Sequence, residues 1–74
     1  MNINTKQGMR EATAWTQRLI DSLHDGGSWL VPRSGTIIVF DKVLRIAHIQ
    51  HEMTPDDSIK KVLKEMGWTV TNKK

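Results

Sequence analysis

The sequence predicts a small α+β domain: an antiparallel sheet of three or four strands with two helices packed on one face, in the order α-β-β-β-α-β. Three observations predict it. Residues 6–23 place apolar side chains at helical spacing, residues 36–49 hold two β-rich runs, and residues 54–67 combine a helix start signal, an apolar stripe and a closing glycine.

In the first helix, a turn of about 100° per residue brings Met9, Ala12, Thr13, Thr16, Leu19, Ile20 and Leu23 into one broad arc, with Trp15 at its edge. Arg10, Glu11, Gln17, Arg18 and Asp21 fill the opposite arc. His24-Asp25-Gly26-Gly27 ends the helix, because glycine takes the left-handed conformation a C-cap needs. Ser28-Trp29-Leu30-Val31 is the first strand, and Pro32-Arg33-Ser34-Gly35 is a turn or exposed loop. The runs 36–40 and 43–49 meet at Asp41-Lys42. A two-residue turn there pairs Phe40 with Val43 and Val39 with Leu44. Ile37, Val39, Leu44 and Ile46 then share one face, and Ile38, Phe40, Val43, Arg45 and Ala47 the other. Asp-Lys suits a type I′ turn poorly, so this register is the least constrained part of the reading. In the second helix Thr54 is the expected N-cap, with Pro55 at the first helical position and Asp56 and Asp57 in the electropositive first turn. Ile59, Val62, Leu63 and Met66 form its apolar stripe, Lys60, Lys61 and Lys64 lie opposite, and Gly67 ends it. Residues 68–71 make a short closing strand. One sheet face is expected to stay partly open, carrying Arg45 with Ile38 and Phe40; in a different register the latter two become core.

Seventy-four residues make one domain, 1–74, with about 1–5 and 72–74 expected to fray. A domain this small has no volume to spare for a deep, water-free active site. There is no cysteine, which excludes disulfides, thiolate metal ligands and Cys nucleophiles. The N-terminal residues show no secretory h-region, and no apolar run reaches the roughly 18 residues of a membrane span. The expectation is a cytoplasmic protein without membrane contact. The net charge of +3 suits an acidic partner, either nucleic acid or protein.

Tests for chemistry lead to the expectation of no enzyme, no cofactor and no metal. His48, His51 and Glu52 offer a His-x-x-His-Glu run, but residues three apart on a regular strand point to opposite faces, and a zinc site needs further ligands. Ser34 lacks a nucleophile elbow. Asp56 and Asp57 are explained by helix capping. Gly26-Gly27-Ser28 precedes a strand and so lacks phosphate-loop geometry. What remains is a basic and aromatic group near the strands: Trp29, Arg33, Lys42 and Arg45, with Arg10 and Arg18 on the first helix. Arg supplies a planar fork for carboxylate or phosphate, and Trp supplies a broad apolar face.

In kind, a Cys-free basic chain of this size, with compact α/β patterning and with Trp29 and Arg33 near an exposed turn, resembles the small phage-encoded proteins that redirect host machinery, such as short inhibitors of bacterial RNA polymerase. The resemblance is one of type and carries no residue-by-residue motif. It implies a non-catalytic regulatory protein acting by occlusion in the host bacterial cytoplasm, as a monomer or weak oligomer. Two alternatives stand beside it: a nucleic-acid-binding protein using a basic sheet face or the lysines of the second helix, and a structural subunit that self-associates through an open sheet edge.

Overall fold

Helix α1 (Lys6–Ser22) opens the computed structural model, which describes residues 3–72. Thr5 caps it: the hydroxyl oxygen accepts the Gly8 N–H at 2.9 Å, so this residue is fixed where fraying was expected. Met1, Asn2, Lys73 and Lys74 lie outside the described residues. The buried ridge of α1 is Gly8, Ala12, Thr16 and Ile20, four residues apart each time and narrower than the predicted arc. Thr16 is buried without penalty because its hydroxyl donates to the Ala12 carbonyl at 2.7 Å. Trp15 falls beside the ridge and stays 50% exposed.

Strands β1 (Ser28–Val31), β2 (Thr36–Asp41) and β3 (Ile46–His51) form an antiparallel meander, and β4 (Thr69–Asn72) adds to β3 in parallel. The sheet is therefore mixed, where the sequence predicted it antiparallel. Helix α2 (Asp57–Glu65) carries the chain over one face between β3 and β4, and such a crossover returns the next strand in the same direction. Asn72, also expected to fray, pairs with Ile49.

The β2–β3 register differs from the two-residue turn. The connection is the four-residue loop 42–45, and Phe40 pairs with Ala47, not Val43. Side-chain acceptors build this loop. Asp41 Oδ1 accepts the N–H groups of Val43 and Leu44 at 3.1 and 3.0 Å, and Asp25 Oδ1 accepts that of Lys42 at 2.9 Å. Arg45 closes the loop at φ 55°. The shift moves Ile38 and Phe40 from the expected open face to the most buried positions, and leaves Val43 and Leu44 exposed at the loop tip. Thr36, Ile38, Phe40, Ala47 and Ile49 line the covered face. Ile37, Val39 and Ile46 do share the outer face, half-buried and without Leu44.

Helix α2 starts two residues later than predicted. Asp56 is its N-cap, with Oδ1 accepting the Ile59 N–H at 3.1 Å. Thr54 instead donates its backbone N–H to the Ser34 carbonyl, tying this approach to the 32–35 turn. The end of α2 is a Schellman motif: Trp68 N–H bonds to the Leu63 carbonyl and Gly67 N–H to that of Lys64, with Gly67 at φ 89°. Ile20, Phe40, Ile49, Ile59, Leu63 and Trp68 meet in one core between sheet and helices, where the Phe40 and Trp68 rings pack edge to face at 5.4 Å. Among the described residues no helix is long and apolar enough to cross a membrane.

Glu52 fastens β3 to α2. It pairs with Lys60 Nζ at 2.9 Å and accepts the Asp56 N–H at 3.2 Å. The Lys60 hydrogen bond, helped by the Asp56 N–H, holds its carboxyl below the usual range. A depressed folded-state pKa stabilises the fold fully above the unfolded value and ceases to do so as pH falls through the folded value. Wild type should therefore lose more melting temperature than Lys60→Met between about pH 6 and about pH 3. Parallel circular-dichroism melts check this; equal losses would remove Glu52 from the acid response.

Candidate functional site

The turn after β1 is held from several directions. Pro32 has no N–H to extend the ladder, and the N–H groups of Ser34 and Gly35 both bond to the Val31 carbonyl. Gly35 sits at φ 68°, where a Cβ would meet the Met53 side chain at 3.0 Å. Ser34 Oγ and Thr36 Oγ1, both buried, share a hydrogen bond at 2.9 Å. With its tail fixed, the turn presents Pro32 and Arg33 outward.

Beside it lies a half-open cleft of about 290 Å³ between α1, β1 and the first turns of α2. Two tryptophans dominate it. Trp29, on the inner face of the outermost strand, meets Trp15 of α1 with ring centroids 5.6 Å apart at 60°. Ala12, Val31, Ile59 and Val62 make the rest largely apolar, and the Thr16 hydroxyl in the wall already donates to its own helix. Arg33 stands at the rim with its side chain 74% exposed, and Nη2 lies 3.6 Å from Asp56 Oδ1. Asp56 Oδ2 is buried and has no hydrogen-bond partner among the described residues. An arginine facing water on one side and a buried carboxylate on the other keeps donors free for a second acid.

The predicted contact residues do not form one patch. Trp29 and Arg33 meet in the cleft. Lys42 and Arg45 lie at the opposite end of β2, in the 42–45 loop. Arg45 has a local task there: its guanidinium lies 5.3 Å from the Trp68 ring centroid and donates to the Met66 carbonyl at 3.4 Å, covering the end of α2. Arg10 borders a shallow depression with Glu65 and Met66 on another side of α1, and Arg18 is exposed one turn beyond Trp15. Trp15 itself was not among the predicted contacts. Its signal was a large aromatic side chain at the margin of the helical arc, where burial is incomplete.

The histidines are also rearranged. A bulge pairs Ile37 with His51 but Ile38 with Ile49, so His48 and His51 both stand opposite residues of the outer face, not on opposite faces as a regular strand predicts. His48 Nδ1 shares a hydrogen bond with Thr71 Oγ1 at 2.7 Å, and Glu52 is engaged by Lys60. Among the described residues no three His, Asp or Glu side chains gather into a metal-binding group. Comparison of the chain with protein-family models, with curated proteins and with solved structures returns no match.

Proposed function

We propose that this chain is a non-catalytic regulatory module that binds another protein, seating an apolar or aromatic side chain of its partner against Trp15 and Trp29 and a carboxylate against Arg33. One observation carries this reading: two tryptophans and an arginine, the residue types that dominate binding hot spots, converge on a cleft at the protein surface. A volume of about 290 Å³ suits one or two side chains, at the lower limit of small-molecule pockets. The net charge of +3 favours an acidic partner surface. The nucleic-acid alternative is less well supported, because Lys42 and Arg45 lie at the far end of the sheet from the tryptophans and do not extend a track past them.

The narrower reading is occlusion of bacterial RNA polymerase in the bacterial cytoplasm, supported by the resemblance in type to small phage proteins. Run-off transcription with purified polymerase, titrated with wild type and Trp15→Ala, tests both levels. Trp15 is half exposed but packs on Trp29, so the variant should melt below wild type, and both are assayed at a temperature where circular dichroism shows them folded. Inhibition by wild type that weakens at least about 30-fold (~2 kcal/mol) in the variant is the expected result. No inhibition by wild type would sink the polymerase reading. Affinity capture from bacterial lysate tests the broader one, which fails if Trp15→Ala and Arg33→Ala retain every protein that wild type retains, in equal amount.

A further inference from the structure

Beyond that reading, the free edge of β1 leaves a row of backbone groups without a strand partner among the described residues. β1 is the outermost strand of the sheet, and among the described residues nothing pairs with its outer side. The phase of its ladder is known. The Phe40 N–H bonds to the Gly27 carbonyl at 3.0 Å, which makes Gly27 a hydrogen-bonded position. Bonded positions alternate in an antiparallel pair, so Trp29 and Val31 also face β2, opposite Ile38 and Thr36. Ser28 and Leu30 therefore turn their N–H and C=O groups outward.

Edge strands are commonly guarded by a charge, a proline or a bulge. Within Ser28–Val31 there is no charge, proline or bulge and Leu30 is 55% exposed, but the strand is only four residues long and lies between a glycine bulge at Gly26-Gly27 and Pro32-Arg33, which limits pairing to these four residues.

Charge complementarity says what fits on β1. On α1, whose Trp15 meets Trp29 of β1, Glu11 and Arg18 lie one turn to either side of Trp15 on the same exposed stripe. A two-fold axis through the middle of such a stripe sets each acid against the other copy's base, which is the self-complementarity an isologous contact requires.

We infer that the chain self-associates as a two-fold dimer through β1. The strands run antiparallel, with Ser28 of each copy opposite Leu30 of the other. Two outward-facing residues per copy give four backbone hydrogen bonds across the axis. Trp29 meets its counterpart at the centre. The α1 helices flank the joined strands, with Glu11 of each copy facing Arg18 of the other. Two four-stranded sheets become one sheet of eight strands. The contact is small, so association is weak and concentration-dependent. Trp15 serves this contact as well as the cleft, so a partner in the cleft competes with the second copy.

Sedimentation equilibrium on the purified chain, from low micromolar to about 1 mM, tests the inference with no partner present. The expected result is a mass rising from one chain towards two in wild type. Leu30→Lys, which changes an exposed side chain, should stay monomeric throughout with an unchanged melting temperature. Glu11→Arg and Arg18→Glu should each weaken association several-fold, and the double variant should restore it, because the pair is exchanged on both copies. A wild type that stays monomeric overturns the dimer. Association that survives Leu30→Lys, or a double variant no better than either single one, overturns this geometry.

Discussion

Phe40→Ala should remove about 3–5 kcal/mol of stability, among the largest losses expected from a single truncation in this chain. Phe40 is fully buried, pairs across the sheet with Ala47 and meets Trp68 edge to face. Ala47 is itself small and cannot move into the space left by the ring. A domain of 74 residues holds roughly 4–11 kcal/mol in total, so the variant stands at or near the unfolding threshold. Val43→Ala is the control. Val43 is the residue a two-residue turn would have placed opposite Phe40, and it is 80% exposed, so its truncation should cost at most about 0.5 kcal/mol. Urea denaturation followed by circular dichroism measures both. Equal losses would mean that the β2–β3 register described here is wrong.

Asp56→Ala should cost about 2 kcal/mol, a large loss for a polar side chain. Its main part is the helix cap: without Oδ1 the Ile59 N–H loses its acceptor at the buried start of α2, worth about 1–2 kcal/mol. The Arg33 pair adds at most about 1 kcal/mol, because the guanidinium is largely in water and screened. Removing the unpartnered Oδ2 returns a little. Asp56→Asn keeps an acceptor in the capping position and should recover most of the loss. Thr54→Ala, at the position the sequence favoured for the cap, should change stability by no more than about 0.5 kcal/mol. Denaturant titration of the three variants separates the outcomes, and a Thr54→Ala loss matching that of Asp56→Ala would put the cap back at Thr54.

The six elements and their order were legible because each is written locally: the apolar ridge of α1, turn residues at 32–35, the stripe and closing glycine of α2. Three things were not local. The 42–45 loop depends on Asp25, seventeen residues from the N–H it accepts, and local turn chemistry at Asp41-Lys42 cannot reveal it. The bulge that reverses His51 leaves no mark in the alternation of β3. The parallel pairing of β4 follows from where α2 carries the chain, not from residues 69–72 themselves. For the site, residue type was enough to select Trp29 and Arg33, which are only four residues apart, on β1 and in the turn that follows it. It was not enough for Lys42 and Arg45, which the length of β2 sets apart from that turn, nor for Trp15, whose exposure depends on how narrow the helix ridge is.

The crossover into β4 also orders assembly in time. Synthesis runs from the N-terminus, so α1 and the meander emerge first, and β3 waits with one backbone row unmatched until α2 and β4 arrive. Trp68, which closes the core against Phe40, comes just ahead of that final strand. A nascent chain halted before it would present a bare strand and an unfilled hollow together, the two features through which half-made proteins stick to one another.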